Sequence, residues 1–319
     1  METRSLSWAE YASELAKCGA RILQTTNGDV WNRHEHLGLV RLNDLDLSLP
    51  APGEVKEVLI KAPAAVASYL VKPDENHPAN AWWYVCADRS YALDNLPHSM
   101  RKNVRRGLKE FKIELISPEQ FLLHGVKPFC DSRLRGGLSD GTEKEFSLRF
   151  GARARCPGHV ILGAWNHDTL AAFLFTTLVE GWAVNEGPFG ANEFLHLRPN
   201  DALLFWELSH YLTQGVCFGV SAGLSSIQLD TVEKGLHLFK TKAGFEARPV
   251  HRVFVLHPLL RPLVNRITLW SMNRALQLRP GNRGLLKAIG VMNYLLLAKR
   301  ATDLEEQPEN GSNGDATMA

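Results

Sequence analysis

The sequence predicts a mixed α/β fold, and three observations carry that expectation. Apolar runs at 159–165 and 170–179 flank the turn residues Asn166-His167-Asp168, the pattern of a β-hairpin. Beyond a further run at 182–185, two helical stretches alternate with a short apolar run as far as Phe245. An earlier block, residues 20–85, also repeats short apolar runs between Pro, Gly and Asn. Hairpin, strand, helix, strand, helix, strand is the expected order of the later block. The earlier block followed by a basic helix reads as a weaker copy, although no repeat is visible in the residues themselves.

The bulk numbers are those of a globular chain. With 319 residues, 45% hydrophobic and 22% charged, one large domain or two modest ones are expected. The formal charge of +2 selects no partner. Cys18, Cys86, Cys130, Cys156 and Cys217 are odd in number and contain no CxxC pair. That argues against a disulfide framework or a structural zinc, and for a reducing, cytoplasmic setting. The first residues carry acids early and have no long apolar run, so no secretory leader is expected. No apolar run reaches about 18 residues, so no transmembrane helix is expected.

Residues 5–18 predict a helix with Ser7 and Glu10 in capping-box spacing. Val58–Ile60 and Trp82–Cys86 read as strands, and Ala64–Leu70 as a helix between them. Leu96-Pro97 and Ser99 open a basic helix with Val104, Leu108 and Phe111 on one face, and Ile113–Ile116 reads as a strand. Residues 117–155 look helical, with a mobile loop at Arg135-Gly136-Gly137 and Ser139-Asp140-Gly141. Pro199-Asn200-Asp201 opens an amphipathic helix, capped by Asn200 or Asp201 and stopped by Gly215. Val216–Val220 reads as a buried strand, Val232–Lys242 as a helix ended by Gly244, and Ala247–Leu256 as closing strands.

Lys240-x-x-x-Gly244-Phe245-Glu246 resembles the last helix and turn of the GNAT acyltransferases, with lysine in place of the usual tyrosine. Phe239-Lys240 is similar to the FemAB branch of that superfamily, the aminoacyl-tRNA-dependent peptidyltransferases and their relatives. Arg101, Arg105, Arg106 and Lys109 match that branch's basic helix. The resemblance covers mainly residues 80–260. It implies a GNAT-like acyl-CoA N-acyltransferase fold in two halves, followed by C-terminal helices. The halves expected are 1–116 and 159–258, joined by a helical linker at 117–158. Basic amphipathic helices at 259–300 and a disordered tail at 301–319 complete the division.

The activity implied is transfer of an acyl or aminoacyl group to an amine by direct attack. Lys240 would stabilise the oxyanion of acyl transfer. Glu186 stands where GNAT enzymes often place a general base, and partial burial would raise its pKa toward neutrality. Asp230 and Glu233 are alternatives. Arg198, Pro199, Asn200, Asp201 and Ala202 occupy the phosphate-binding helix start of the GNAT enzymes, where a helix N-terminus can hold a pyrophosphate. The family's glycines are missing there and an acid is present, which turns the expectation from acyl-CoA toward another activated acyl donor. No tightly bound cofactor is expected. An aminoacyl donor makes tRNA a partner, with the basic helix contacting phosphates.

Three further features stay open at this point. Gly219-Val220-Ser221-Ala222-Gly223 is a G-x-S-x-G pattern, with Asp230 and His251 or His257 following as in a serine hydrolase. Trp82-Trp83 is either core or an aromatic pair against an acyl chain. Arg248–Arg300 holds ten Lys or Arg and no acid. It reads as helices packed on the domain with basic outer faces, or as the docking surface of a non-catalytic module for an anionic membrane or an assembly complex. His34-Glu35-His36 is too short to place two metal ligands on one helical face.

Overall fold

The structure is a computed structural model that describes residues 5–34, 38–43, 45, 47–62, 64–137, 141–225, 234–279 and 282–305. Two compact units are present, one up to His257 and one from Pro258.

The first unit is built on one eleven-stranded sheet. Its strands are β1 (Ile22–Gln24), β2 (Val30–His34), β3 (Gly38–Arg41), β4 (Val66–Val71), β5 (Ala81–Cys86), β6 (Lys112–Leu115), β7 (His159–Asn166), β8 (Thr169–Val179), β9 (Trp182–Gly190), β10 (Gly219–Leu224) and β11 (Glu246–Leu256). Their order across the sheet is β1-β2-β3-β4-β11-β5-β10-β9-β8-β7-β6. That order contains a repeat. Antiparallel β1-β2-β3 lead through helix α2 (Glu54–Lys61) to β4, parallel to β3 over three residue pairs. Antiparallel β7-β8-β9 lead through helix α7 (Pro199–Leu208) to β10, parallel to β9 over three residue pairs. The next strand of each set crosses over: β5 lies against β10, and β11 against β4. β5 and β11 then pair with each other and join the two sets into one sheet.

Helix α1 (Trp8–Lys17) starts at the expected capping box, Ser7 Oγ accepting from the Glu10 N–H at 3.2 Å. Such a cap contributes about 1 kcal/mol. Leu6 bridges to Val179 at the end of β8, so the N-terminal segment is sewn to the later strands. Cys18, ending α1, is joined in a disulfide to Cys156, with Cα atoms 6.6 Å apart. The odd cysteine count and the lack of a CxxC pair argued against a disulfide framework; this bond joins segments 138 residues apart, which only the fold brings together, and Cys86, Cys130 and Cys217 are free thiols.

Two expected elements are exchanged. Val58–Ile60 lies in helix α2, where Val58 and Leu59 are buried, Ile60 is exposed, and Glu57 pairs with Lys61 one turn on. Two adjacent residues face the interior there, which a half-buried strand would not allow. Val66–Val71, by contrast, is strand β4, held between β3 and β11. Short apolar runs do not distinguish helix from strand by periodicity, and tertiary pairing decided both.

Helix α3 (His98–Glu110) buries Met100, Val104 and Gly107. Leu108, expected on that face, is exposed. Gly107 is required for packing: a Cβ there would stand 2.5 Å from the Arg198 carbonyl oxygen of the α7 start. Helices α4 (Pro118–His124), α5 (Val126–Arg135) and α6 (Glu143–Phe150) fill the expected helical stretch. Phe121, Phe129, Phe146 and Phe150 pack there on Phe173 and Phe175 of β8. The expected mobile loop falls partly outside the described residues.

Helix α7 is capped by Arg198 in the left-handed conformation (φ 70°), not by Asn200 or Asp201. A π-helical turn, Ser209–Thr213, extends it toward Gly215. Phe218 is exposed and β10 begins at Gly219, later than expected. Helix α8 (Lys234–Lys242) ends at Gly244, whose φ of +101° and approach to the Tyr91 ring admit no side chain. Residues 246–256 form one continuous strand rather than several.

In the second unit, α9 (Arg266–Leu278) packs against α10 (Arg283–Glu305). Among the described residues no helix is long and apolar enough to cross a membrane. The expected disordered tail lies mostly outside the described residues.

Candidate active site

The parallel pair β9–β10 parts after Ser221↔Val184. β9 continues along β8 to Gly190, while β10 turns away through an irregularity between Ser221 and Leu224. Gly223, at φ +71°, lies in that irregularity. A fork opens where two parallel strands separate, because backbone groups there no longer satisfy each other.

Lys240 closes one side of this fork. It lies on α8 and is only 7% exposed. Its Nζ donates to the Ala222 carbonyl at 2.6 Å, immediately beyond the last residue of β10 that pairs with β9. The same ammonium stands 4.3 Å from the centre of the Tyr84 ring on β5, a cation–π distance. The Tyr84 hydroxyl lies 3.0 Å from His237 Nδ1, one turn before Lys240 on α8. Trp82 stands beside His237, ring centres 6.5 Å apart. Trp82 is partly buried, and its neighbour Trp83 packs inward, donating Nε1–H to Ser221 Oγ at 2.8 Å. The fold therefore joins one expected residue, Lys240, to an aromatic and imidazole pair that sequence reasoning did not connect with it. The three-residue spacing of His237 and Lys240 was the available signal; the place of Tyr84 depends on the strand crossover.

Ser221 has no hydrolase geometry. It sits inside β10, paired to both neighbours, rather than on a strand-to-helix elbow. Its buried hydroxyl accepts from Trp83 and from the Gly223 N–H at 3.2 Å. None of its described hydrogen bonds comes from a histidine. His251 donates from Nδ1 to the Pro78 carbonyl at 2.6 Å, and the His257 N–H bonds Ala65.

Glu186, on β9, does not have the raised pKa expected of a base. Burial opposes its charge, but Arg153 and then Arg149 outweigh that and hold its carboxyl well below the usual range. Arg149 donates from Nε and from a terminal nitrogen at 3.2 and 3.1 Å, and Arg153 closes the pair on the other oxygen. A carboxylate so held is a weak proton acceptor. Asp230 and Glu233 lie outside the described residues.

The start of α7 differs from a pyrophosphate cradle. Arg198 is exposed, Pro199 has no N–H, and Ala202 is buried. Asn200 lies against Gly190. Asp201 is buried; burial raises its pKa, and its carboxylate accepts from Asn103 of α3 at 3.0 Å. An acid there competes with a bound anion for the helix end.

One buried carboxylate was not anticipated. Glu207 of α7 accepts from Thr176 at 2.6 Å and from Asn185 at 2.5 Å, just inside the fork. Burial pushes its pKa up to about 7, against those two bonds. No group of His, Cys, Asp and Glu able to hold a metal occurs among the described residues.

This arrangement is similar in fold to solved structures that include FemX, a likeness in keeping with the fold that the Lys240–Phe245 resemblance implied. No family profile and no curated protein matches the sequence. Solved structures do match. The C-terminal domain of a putative lysylphosphatidylglycerol synthetase from Agrobacterium fabrum has 13% identity and a TM-score of 0.53, over 83% of this chain and 91% of that one. FemX has 10% identity and a TM-score of 0.53, over 81% and 93%. L-PGS from Bacillus licheniformis has 12% identity and a TM-score of 0.50, over 82% and 96%. At such identities the likeness is one of fold.

Proposed function

We propose that the protein transfers an aminoacyl or other acyl group to an amine at the β9–β10 fork. The observation that carries this is Lys240, a nearly buried ammonium held by the Ala222 carbonyl where the strands part. The amine nitrogen attacks the acyl carbonyl carbon, and the carbonyl oxygen becomes an oxyanion. A fixed positive charge in a water-poor site stabilises that oxyanion more than the neutral carbonyl. The carbon–oxygen or carbon–sulfur bond of the donor then breaks, the leaving group takes a proton, and the amine gives one up. His237, beside the Tyr84 hydroxyl, is a better-placed proton acceptor than the arginine-bound Glu186.

The donor that fits best is an aminoacyl ester such as aminoacyl-tRNA. Asp201 opposes a pyrophosphate at the start of α7, which disfavours acyl-CoA. Helix α3 packs on α7 and exposes Lys102, Arg105, Arg106 and Lys109, cations suited to a polyphosphate chain.

Discharge of labelled aminoacyl-tRNA and of acyl-CoAs is to be measured with amine acceptors. Aminoacyl-tRNA discharge should fall at least about a hundredfold in Lys240→Ala, the scale of losing one oxyanion donor. Circular dichroism should show the variant folded. Discharge from acyl-CoA alone would replace the donor. Equal rates in wild type and Lys240→Ala would remove Lys240 from the chemistry.

A further inference from the structure

We infer that α9 is a membrane-surface helix that lies in the headgroup region of an anionic bilayer. None of its residues is buried. Ile267 (77% exposed), Trp270 (61%) and Leu278 (85%) follow at spacings of three and eight, so they share one face of the helix. A large apolar stripe open to water is costly, and in a monomer such a patch marks a contact surface. Tryptophan is the side chain most suited to the boundary between headgroups and acyl chains.

Charge selects the occupant. Residues 258–300 contain eight Lys or Arg and no Asp or Glu; the first acid is Asp303. Arg261, Arg266, Arg274 and Arg279 are all exposed. By helical geometry Arg266 borders the apolar stripe beside Trp270, and Arg279 follows Leu278 as the first residue past the helix. Arg274 lies within it, its guanidinium 5.6 Å from the centre of the Trp270 ring and also bonded to Gln277. Long cationic side chains beside apolar ones cover the stripe's edges and reach phosphate groups while the apolar side chains enter the acyl region. A protein partner of like surface would need a matching acidic face; a bilayer rich in anionic lipid supplies both halves at once. The helix, 13 residues long, spans about 20 Å and is too short to cross, so it lies in the plane.

The inference stands apart from the transferase reading, because it uses no residue of the fork. The full chain is to be floated with vesicles of phosphatidylcholine alone and with vesicles rich in phosphatidylglycerol, at low and high salt. Binding to the anionic vesicles only, weakened by salt, is expected. Removing one arginine, as in Arg266→Gln or Arg279→Gln, should weaken it about fivefold. Ile267→Asp with Trp270→Asp should abolish it; both positions are exposed, so folding is retained, as circular dichroism will check. Lys240→Ala should bind vesicles like wild type. Three results would overturn the inference: no anionic binding, undiminished binding by the Ile267/Trp270 variant, or light scattering that shows a dimer which that variant splits while vesicles capture neither.

Discussion

The two forks of the sheet share a topology and differ in what surrounds them. At β3–β4, as at β9–β10, a parallel pair holds over three residue pairs, and the helix between the strands has a left-handed residue at its N-cap. Gly53 serves α2 (φ 82°) and Arg198 serves α7 (φ 70°). Each helix start is also occupied by an acid of its own chain. Glu54 accepts from Trp31 Nε1 at 3.0 Å and from the Ala51 N–H at 3.3 Å, and Asp201 accepts from Asn103. The difference comes after the second parallel strand. Residues 72–80 connect β4 to β5 without a helix, whereas α8 stands between β10 and β11 and carries His237 and Lys240. Two copies of one strand pattern thus differ by a helix, and that helix brings the residues of the proposed site to one of them. The other copy retains the role of holding β11 in the shared sheet.

The comparison can be broken first at its lysines. In the discharge assay, Lys240→Ala should lose at least about a hundredfold, while Lys72→Ala, exposed in the helix-free connection of the first fork, should change little. Comparable losses in both would mean that the forks act together.

A pH series separates the forks next. Glu207 has a folded pKa raised to about 7 from 4.5. Its contribution to stability is therefore fully present below about pH 4.5, declines as pH rises, and is lost once pH passes about 7. The loss amounts to about 3 kcal/mol if the whole shift is realised. Denaturant unfolding between those limits should show it, and Glu207→Gln should flatten it. Glu186 acts in the opposite sense. Its lowered pKa adds stability above the ordinary carboxylate range, which is lost as pH falls. A slope near neutrality that survives Glu207→Gln would assign it to another group.

The smallest effect tests the first fork. Glu54→Ala leaves the fully buried Trp31 without its carboxylate partner and should cost about 2 kcal/mol, read as a lower melting temperature with unchanged transfer per folded molecule. A selective loss of activity would show that the first fork serves the reaction too.

Much of this was legible in the chain. The β7–β8 hairpin and α7 follow from turn residues and apolar period, and the Gly244 turn from a position that tolerates no side chain. The motif singled out Lys240, which the fold sets beside the Ala222 carbonyl and the Tyr84 ring. Glu186 was misread because its pKa depends on Arg149 and Arg153, which lie 37 and 33 residues away. No motif or spacing singles out Glu207 within its amphipathic helix. Only Thr176 and Asn185, brought in by β8 and β9, show that it faces the interior.

By itself the sequence determined which segments have helical or strand character where the pattern is long, where the chain must turn, and that residues 248–300 carry cations without acids. Those properties are set by neighbours a few positions apart. Tertiary structure alone decided that Val58–Ile60 is helical and Val66–Val71 a strand, that β5 and β11 exchange places, and that Tyr84 and His237 meet Lys240. Each of these rests on contacts between distant segments, where burial and strand pairing outweigh the small energies of local preference.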